Sequence, residues 1–166
     1  MSDLTIRAAL PADRQVIRVL VERAFGQPLE AVLVDFLVDD GDAVLELVAE
    51  RQGEIVGHIL FSRLMIEVGP EAFPAVALAP IGIDPDLQRQ GIGGALITEA
   101  HNRLREAGER LSVVLGDPAY YSRFGYQRGP AQGFASDYQC EALQALAWGE
   151  APATGRLVYA RAFGNL

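Results

Sequence analysis

The chain has 166 residues, half of them hydrophobic and 22% charged, with a net charge of −8. That composition is globular, and it gives no basic face for a phosphate backbone, so a nucleic-acid partner is not expected. All 14 basic residues are arginine and none is lysine, which excludes a lysine Schiff base and a Walker-type phosphate loop. No apolar run approaches the length of a membrane span, and no membrane partner is expected. The N-terminal "MSDLTIRAALPADRQ" lacks the basic-then-apolar pattern of a secretory signal. With one cysteine, Cys140, no internal disulfide forms, and a reducing cytoplasm is the expected setting. His58 and His101 stand far apart and belong to no ligand-spaced cluster, so no metal site is expected.

Elements follow in chain order. "LTIRAA" (Leu4 to Ala9) alternates as a strand. Pro11 and Asp13 open a helix, with a carboxylate at its positive end. Val16, Ile17, Leu20 and Ala24 fall on one face of it, up to Phe25. A second helix is predicted from Leu29 to Leu37, then a polar loop at "DDGD". Val44 to Arg51 and Glu54 to Val68 read as two strands joined by a tight turn at Gln52-Gly53. "GPEAFP" reads as a loop. Ala75 to Ile83 is wholly apolar, as in the centre of a sheet. Pro80 within it has no N–H to give, so the ladder is expected to break there.

"DPDLQRQGIGGALI" (Asp84 to Ile97) places three glycines within four positions, between that strand and a helix. The helix carries Ile92, Leu96, Ala100, Leu104 and Ala107 at helical spacing and stops at Gly108. "LSVVLG" (Leu111 to Gly116) is a short buried strand. "DPAYYSRFGY" reads as a brief helical turn with a Gly-aromatic exit. Further strands are predicted near Tyr138 to Ala147 and Arg156 to Phe163. With no repeat or linker, residues 1–166 read as one mixed α/β domain.

A helix that begins on glycines directly after a buried strand exposes several backbone N–H groups, which favours an anion there. Missing side chains let a phosphate approach the backbone, and Arg89 adds a formal charge. The alternative is a turn that needs glycine for geometry alone. A Rossmann fingerprint fails, because Leu96 stands where the third glycine belongs.

A third pattern fits. "QRQGIG" (Gln88 to Gly93) resembles the Arg/Gln-x-x-Gly-x-Gly/Ala signature of the GNAT superfamily of N-acetyltransferases. "YYSRFGY" (Tyr120 to Tyr126) resembles the Tyr-x-Lys/Arg-x-Gly-Phe segment that closes that family's acyl-CoA site. "VLGDPAYYSRFGY" and "GHILFS" are similar to the YhbS-like branch of predicted bacterial acetyltransferases. The likeness runs over the whole chain, most strongly from Ala75 to Tyr126.

The resemblance implies a single GNAT-like domain, with a mixed, mostly antiparallel sheet splayed at its middle and flanked by helices. It implies acetyl-CoA as donor and no metal. Gln88, Arg89, Gln90, Gly91, Ile92, Gly93 and Gly94 would wrap the coenzyme A diphosphate, mainly through backbone N–H groups. Ile81 and Ile83 would face the cofactor through their backbones. Arg123 reads equally as a contact for the 3′-phosphate or as a solvated cation. Tyr121 aligns with the tyrosine that protonates the leaving thiolate, and Tyr120 is its fallback, otherwise packed.

The chemistry implied is direct acetyl transfer to a small-molecule or protein amine. A non-catalytic acyl-CoA sensor is the alternative. The general base stays open among Asp84, His58, Glu22 and a water chain; Asp84 reads more readily as a turn cap, His58 as a packed residue and Glu22 as a solvated one. Cys140 is expected to be a small buried hydrophobe. The acidic chain suits a cationic amine, a polyamine, an aminoglycoside or a protein terminus. The helix pair from Asp13 to Leu37 and the tail after Gly129 are expected to wall the acceptor pocket. A homodimer is the family-level expectation.

Overall fold

The computed structural model describes residues 3–164. Eight strands form one sheet among the described residues. β1 (Leu4–Ala8), β2 (Ala43–Arg51), β3 (Glu54–Val68) and β4 (Glu71–Ile83) pair antiparallel in that order. β4 then pairs in parallel with β5 (Leu111–Leu115), which pairs antiparallel with β7 (Leu143–Ala147). β8 (Gly155–Val158) continues the β2 edge of β3 at Met65 to Glu67, with the two-residue β6 (Phe134–Ala135) beside it.

Helices cover both faces. A 3-10 turn at Pro11–Asp13 leads into α1 (Arg14–Phe25), followed by α2 (Leu29–Asp39). Ile17 and Val21 of α1 pack with Ala31, Val34 and Leu37 of α2 onto Val48 and Leu60 of the sheet. Fully burying an aliphatic side chain of this size is worth about 1.5–3 kcal/mol, and this burial outweighs the weak propensity of the Val-rich helices. Val16, expected on the buried face, is instead exposed: the buried stripe is Ile17, Leu20 and Val21. On the other face α3 (Ile92–Glu106) buries Ile92, Leu96, Ile97, Ala100 and Leu104 against Leu47, Ile59, Phe61, Val76 and Leu78. It ends at Gly108, whose φ of +89° only glycine adopts freely.

The feature that positions the site lies in β4. Its ladder with β5 covers only Val76 to Leu78, opposite Ser112 to Val114, while β4 itself runs on to Ile83. Pro80 falls just past the last bridge. There the register with β3 also slips, since Phe61 faces Leu78 but Ile59 faces Ile81, so β4 carries one extra residue. Pro80 thus sits both in a bulge and at the end of a ladder, as a residue without an N–H requires.

Four further expectations are corrected. "GPEAFP" is not wholly a loop, because β4 begins at Glu71. Pro74 is accommodated because β5 reaches only to Val76, leaving that stretch of β4 on an edge. Tyr138 lies in a turn before β7, and the last predicted strand ends at Val158, with a 3-10 turn at Arg161–Gly164. Cys140 is exposed, because it falls in the loop between β6 and β7, at the start of the turn closed by the Leu143 N–H on its carbonyl, and not in a strand. No helix among the described residues is long and apolar enough to cross a membrane.

Candidate active site

A cavity of about 680 Å³ opens where β4 outruns β5. Its walls are Ile81, Gly82 and Ile83 from β4, Leu87 to Arg89 and Gly91 to Gly94 from the following loop and helix, Ala24 and Phe25 from the end of α1, and Tyr120 and Arg123. That volume lies within the range of small-ligand sites.

The glycine turn has a local cause. Asp84 accepts a hydrogen bond from the Asp86 N–H at 2.9 Å and so starts a 3-10 turn at Pro85–Leu87. Arg89 (φ +64°) and Gly91 (φ +85°) are both left-handed, and Gly91 is the residue before α3. An L side chain at such a φ costs about 1–2 kcal/mol, which explains a glycine at 91. The first bond of this helix end runs from the Ala95 N–H to the Gly91 carbonyl at 3.0 Å. The earlier N–H groups of the turn therefore have no intrahelical partner and point outward with the positive helix end. At Gly93 the need is space, since a Cβ would stand 2.8 Å from the Tyr120 hydroxyl oxygen.

The aromatic segment lies beside this turn. α4 (Pro118–Tyr121) is capped by Asp117, which accepts from the Ala119 N–H at 3.0 Å. Tyr120 contacts Tyr121 and Phe124 edge-on at 5.0 and 5.3 Å, and the Arg123 guanidinium sits 5.4 Å from its ring centroid. Tyr121 is half-buried, its ring against Gly116 at the end of β5; a Cβ on that glycine would stand 2.4 Å from the ring. Burial, with Tyr120 and Asp117 nearby, pushes the Tyr121 hydroxyl up to about 12. Burial also raises Tyr120, against the pull of Arg123. Both phenols are protonated donors at neutral pH. Behind them Tyr126 is fully buried, its hydroxyl 2.8 Å from Ser112 Oγ and 3.0 Å from His101 Nε2. Burial pushes His101 down to about 4, so that ring is neutral.

Of the residues singled out in sequence, Ile81, Ile83, Gln88, Arg89, Gly91, Ile92, Gly93, Gly94 and Arg123 come together on the cavity. Gln90 does not line it, and its Oε1 accepts from Arg51 Nη1 at 3.1 Å. Tyr121 also stands off the wall; Tyr120 is the tyrosine on the lining. Among the candidate bases, Asp84 is committed to its turn and to Arg23 at 3.3 Å. Glu22 is exposed. His58 is fully buried, its Nε2 2.7 Å from Glu46 Oε2. Ala24, Phe25, Gly82 and Leu87 also line the cavity but are not named for the site from sequence: Ala24 shows there only as part of a helix face, Phe25 and Leu87 only by their place near an element's end, and Gly82 only as part of an apolar strand. Glu46 gave none, because a glutamate alternating along a strand reads as a solvated face. The described residues hold no group of histidine, cysteine, aspartate or glutamate able to hold a metal ion.

Known proteins share this architecture. Residues 5–129 match the family model of the acetyltransferase (GNAT) domain. The chain is 38% identical over 125 residues to the uncharacterized N-acetyltransferase YhbS of Escherichia coli (strain K12), across 75% of this chain and 74% of that protein. Among solved structures, YhbS from Escherichia coli in complex with CoA matches with a TM-score of 0.89 at 31% identity, over 99% of this chain and 93% of that one. A GNAT family acetyltransferase from Brucella melitensis in complex with acetyl-CoA matches with a TM-score of 0.83 at 36% identity, over 96% and 97%. The chain belongs to the GNAT acetyltransferase family.

Proposed function

We propose that residues 1–166 form one catalytic unit that moves an acetyl group from acetyl-CoA to a primary amine by direct attack, with Tyr121 protonating the leaving thiolate. One observation carries this reading. Residues of the glycine turn and of the open stretch of β4 line one cavity together, nine of the ten named for the cofactor from sequence among them. Acetyl-CoA and CoA in the two similar structures support the same donor here.

The turn from Gln88 to Gly94 holds the diphosphate by backbone N–H groups, with Arg89 and Arg123 adding charge. The backbone of Ile81 to Ile83, unpaired on the β5 side, guides the pantetheine arm toward the break in the sheet. The amine nitrogen attacks the thioester carbonyl carbon, the C–S bond breaks, and the sulfur takes the Tyr121 proton. Burial keeps that proton in place until the thiolate develops. A positioned acid of this kind is worth roughly 10²–10⁴ in rate. Tyr120, whose hydroxyl reaches Gly93, sits at the phosphate end of the cavity.

Calorimetry with acetyl-CoA and with coenzyme A, followed by thiol release with a panel of amines, tests this reading. Binding of both and thiol release above buffer are expected. Tyr121→Phe should lower kcat about 100-fold or more with the coenzyme A Kd within about twofold, whereas Tyr120→Phe should leave most of kcat. Absence of coenzyme A binding refutes the function. Full turnover in Tyr121→Phe refutes the role of that residue.

A further inference from the structure

Beneath α1 lies a buried ionic group that the donor site does not use. Glu46 on β2 accepts from His58 Nε2 on β3 at 2.7 Å, and its other oxygen takes the Arg14 guanidinium from the start of α1. Burial alone would raise the Glu46 carboxyl, but the hydrogen bonds from His58 and Arg14 outweigh it and hold the group below the usual carboxylate range. His58 is fully buried, and its second ring nitrogen, Nδ1, meets no partner among the described residues. A buried polar atom left unpaired costs stability, so its presence needs a reason.

The register supplies one. His58 stands directly opposite Gly82 on β4. Opposed residues of an antiparallel pair lie about 4.5–5.5 Å apart and present their side chains on the same face. That face is identified by the Cβ absent at Gly82, which would point at Ala24 and Phe25 of α1. Gly82, Ala24 and Phe25 all line the cavity. The imidazole therefore leaves the sheet just behind the cavity wall: Gly82 puts no side chain between them, and the buried ring itself is not on the lining. Neutral imidazole that donates Nε2–H to Glu46 keeps a lone pair on Nδ1. Around it, β2 contributes the Glu46 carboxylate and α1 the Arg14 guanidinium behind that carboxylate. Val48 and Leu60, which flank His58 on this face, are covered by Ile17 and Val21, and β4 brings only Pro80 and Gly82.

We propose that His58, oriented by Glu46, accepts the proton of the incoming amine at Nδ1 through one bridging water. This rests on the acetyl-transfer reading above. An alkylammonium has no lone pair, so it must lose one proton before attack. That proton passes by way of the water to Nδ1, giving an imidazolium paired with the Glu46 carboxylate. The freed nitrogen attacks the thioester carbon. As C–S breaks, sulfur takes the Tyr121 proton, and the second proton leaving nitrogen restores the phenol. The sum is amide, free thiol and one proton released to solvent from His58.

Spermidine, kanamycin and an alanyl-glycine dipeptide serve as acceptors with acetyl-CoA, and kcat/KM is followed from pH 5 to pH 10 for the fastest. His58→Gln is expected to lower kcat about 100-fold and erase the acid limb, with the coenzyme A Kd unchanged. Glu46→Gln is expected to keep the limb but move it to lower pH, since a lost carboxylate disfavours imidazolium. In case His58→Gln does not fold, the wild type carries its own readout. Of the chain's two histidines His101 stays neutral, so ¹⁵N spectra of the coenzyme A complex follow His58, whose titration should coincide with the limb. A limb unmoved by Glu46→Gln, or a His58 that does not titrate with it, overturns the proposal and leaves acetyl transfer standing. No thiol release from the wild type with any of the three amines overturns both.

Discussion

Gly93→Ala is the sharpest test of the glycine turn, because it separates packing from ligand binding. The new Cβ would stand 2.8 Å from the Tyr120 hydroxyl oxygen but a comfortable 3.8 and 3.9 Å from Ile81 and Ile83. Tyr120 cannot yield freely, with Tyr121 and Phe124 edge-on to its ring and Arg123 over it. Overpacking of this kind costs about 1–3 kcal/mol, offset by the 0.5–1 kcal/mol that alanine gains over glycine in a helix. The single variant should thus lose roughly 0–2.5 kcal/mol, or about 0–10 °C in Tm for a chain of this size. Tyr120→Phe removes the one atom in the way. In the double variant the clash vanishes and the helix gain remains, so a double-mutant cycle by urea denaturation should show about 1–3 kcal/mol of coupling. Coenzyme A binding should behave differently. The added methyl narrows the turn proposed to seat the diphosphate, so affinity should fall about tenfold, or 1.4 kcal/mol, in the single and double variants alike. Additive stabilities would refute the packing of Tyr120 on Gly93. Wild-type affinity in both would refute the diphosphate seat.

Asp84→Asn keeps a capping side chain and loses only an ion pair whose Arg23 side chain is 48% exposed, so stability should change by less than about 0.5 kcal/mol and turnover by less than about threefold; a 100-fold loss would make Asp84 the proton acceptor in place of His58. The Arg7 guanidinium holds the Asp13 carboxyl below its usual range, helped by the Leu10 N–H. A depressed folded pKa contributes stability above the unfolded value near 4 and loses it as pH falls through the folded value. Asp13→Asn should therefore be less stable than wild type at pH 7, with the gap in urea midpoints closing below about pH 4; a constant gap would refute the pairing. Exposed Cys140, which is not on the cavity wall, should react with a thiol reagent in the native protein and leave coenzyme A affinity unchanged by calorimetry. Inserting one alanine after Ala79 shifts the rest of β4 by one position against β3 and should turn Ile81 and Ile83 out of the α3 core. A loss of about 2–4 kcal/mol in denaturation is expected, discounted for their partial exposure, and an unaltered midpoint would refute their place in that core.

What the sequence made legible was whatever is local. Helix α3 announced itself by Ile92, Leu96, Ala100 and Leu104 at one spacing, and the glycines before it by the backbone they demand. β2 and β3 were readable from their alternation and the Gln52-Gly53 turn. Long-range pairing was not readable. Glu46 meets His58 12 residues on and Arg14 32 residues back, and nothing in "VLELVAER" distinguishes a buried glutamate from a solvated one. The two tyrosines posed the same difficulty. Adjacent residues on a short helical turn diverge, and only the packed structure shows that Tyr120 takes the cavity wall while Tyr121 turns toward Gly116. The tail misled for a further reason. β6 has only two residues, held by β8 alone, and so brief a strand leaves no periodicity.

Pro80 shows how a local signal can be read correctly and still underestimated. A proline in a central strand predicts a broken ladder, and the ladder with β5 does end there. The larger consequence is a change of face. Val76 and Leu78 point to α3, and strict alternation would send Pro80 and Gly82 after them. With one residue added, Ile81 and Ile83 join that core instead, and Gly82 turns to α1. A single inserted residue thus gives the cavity an aliphatic wall on the side of the glycine turn and a bare backbone on the side of His58. In the proposed reaction the thioester is held from one face of the sheet and the amine's proton leaves by the other, because the strand between them is out of step with itself.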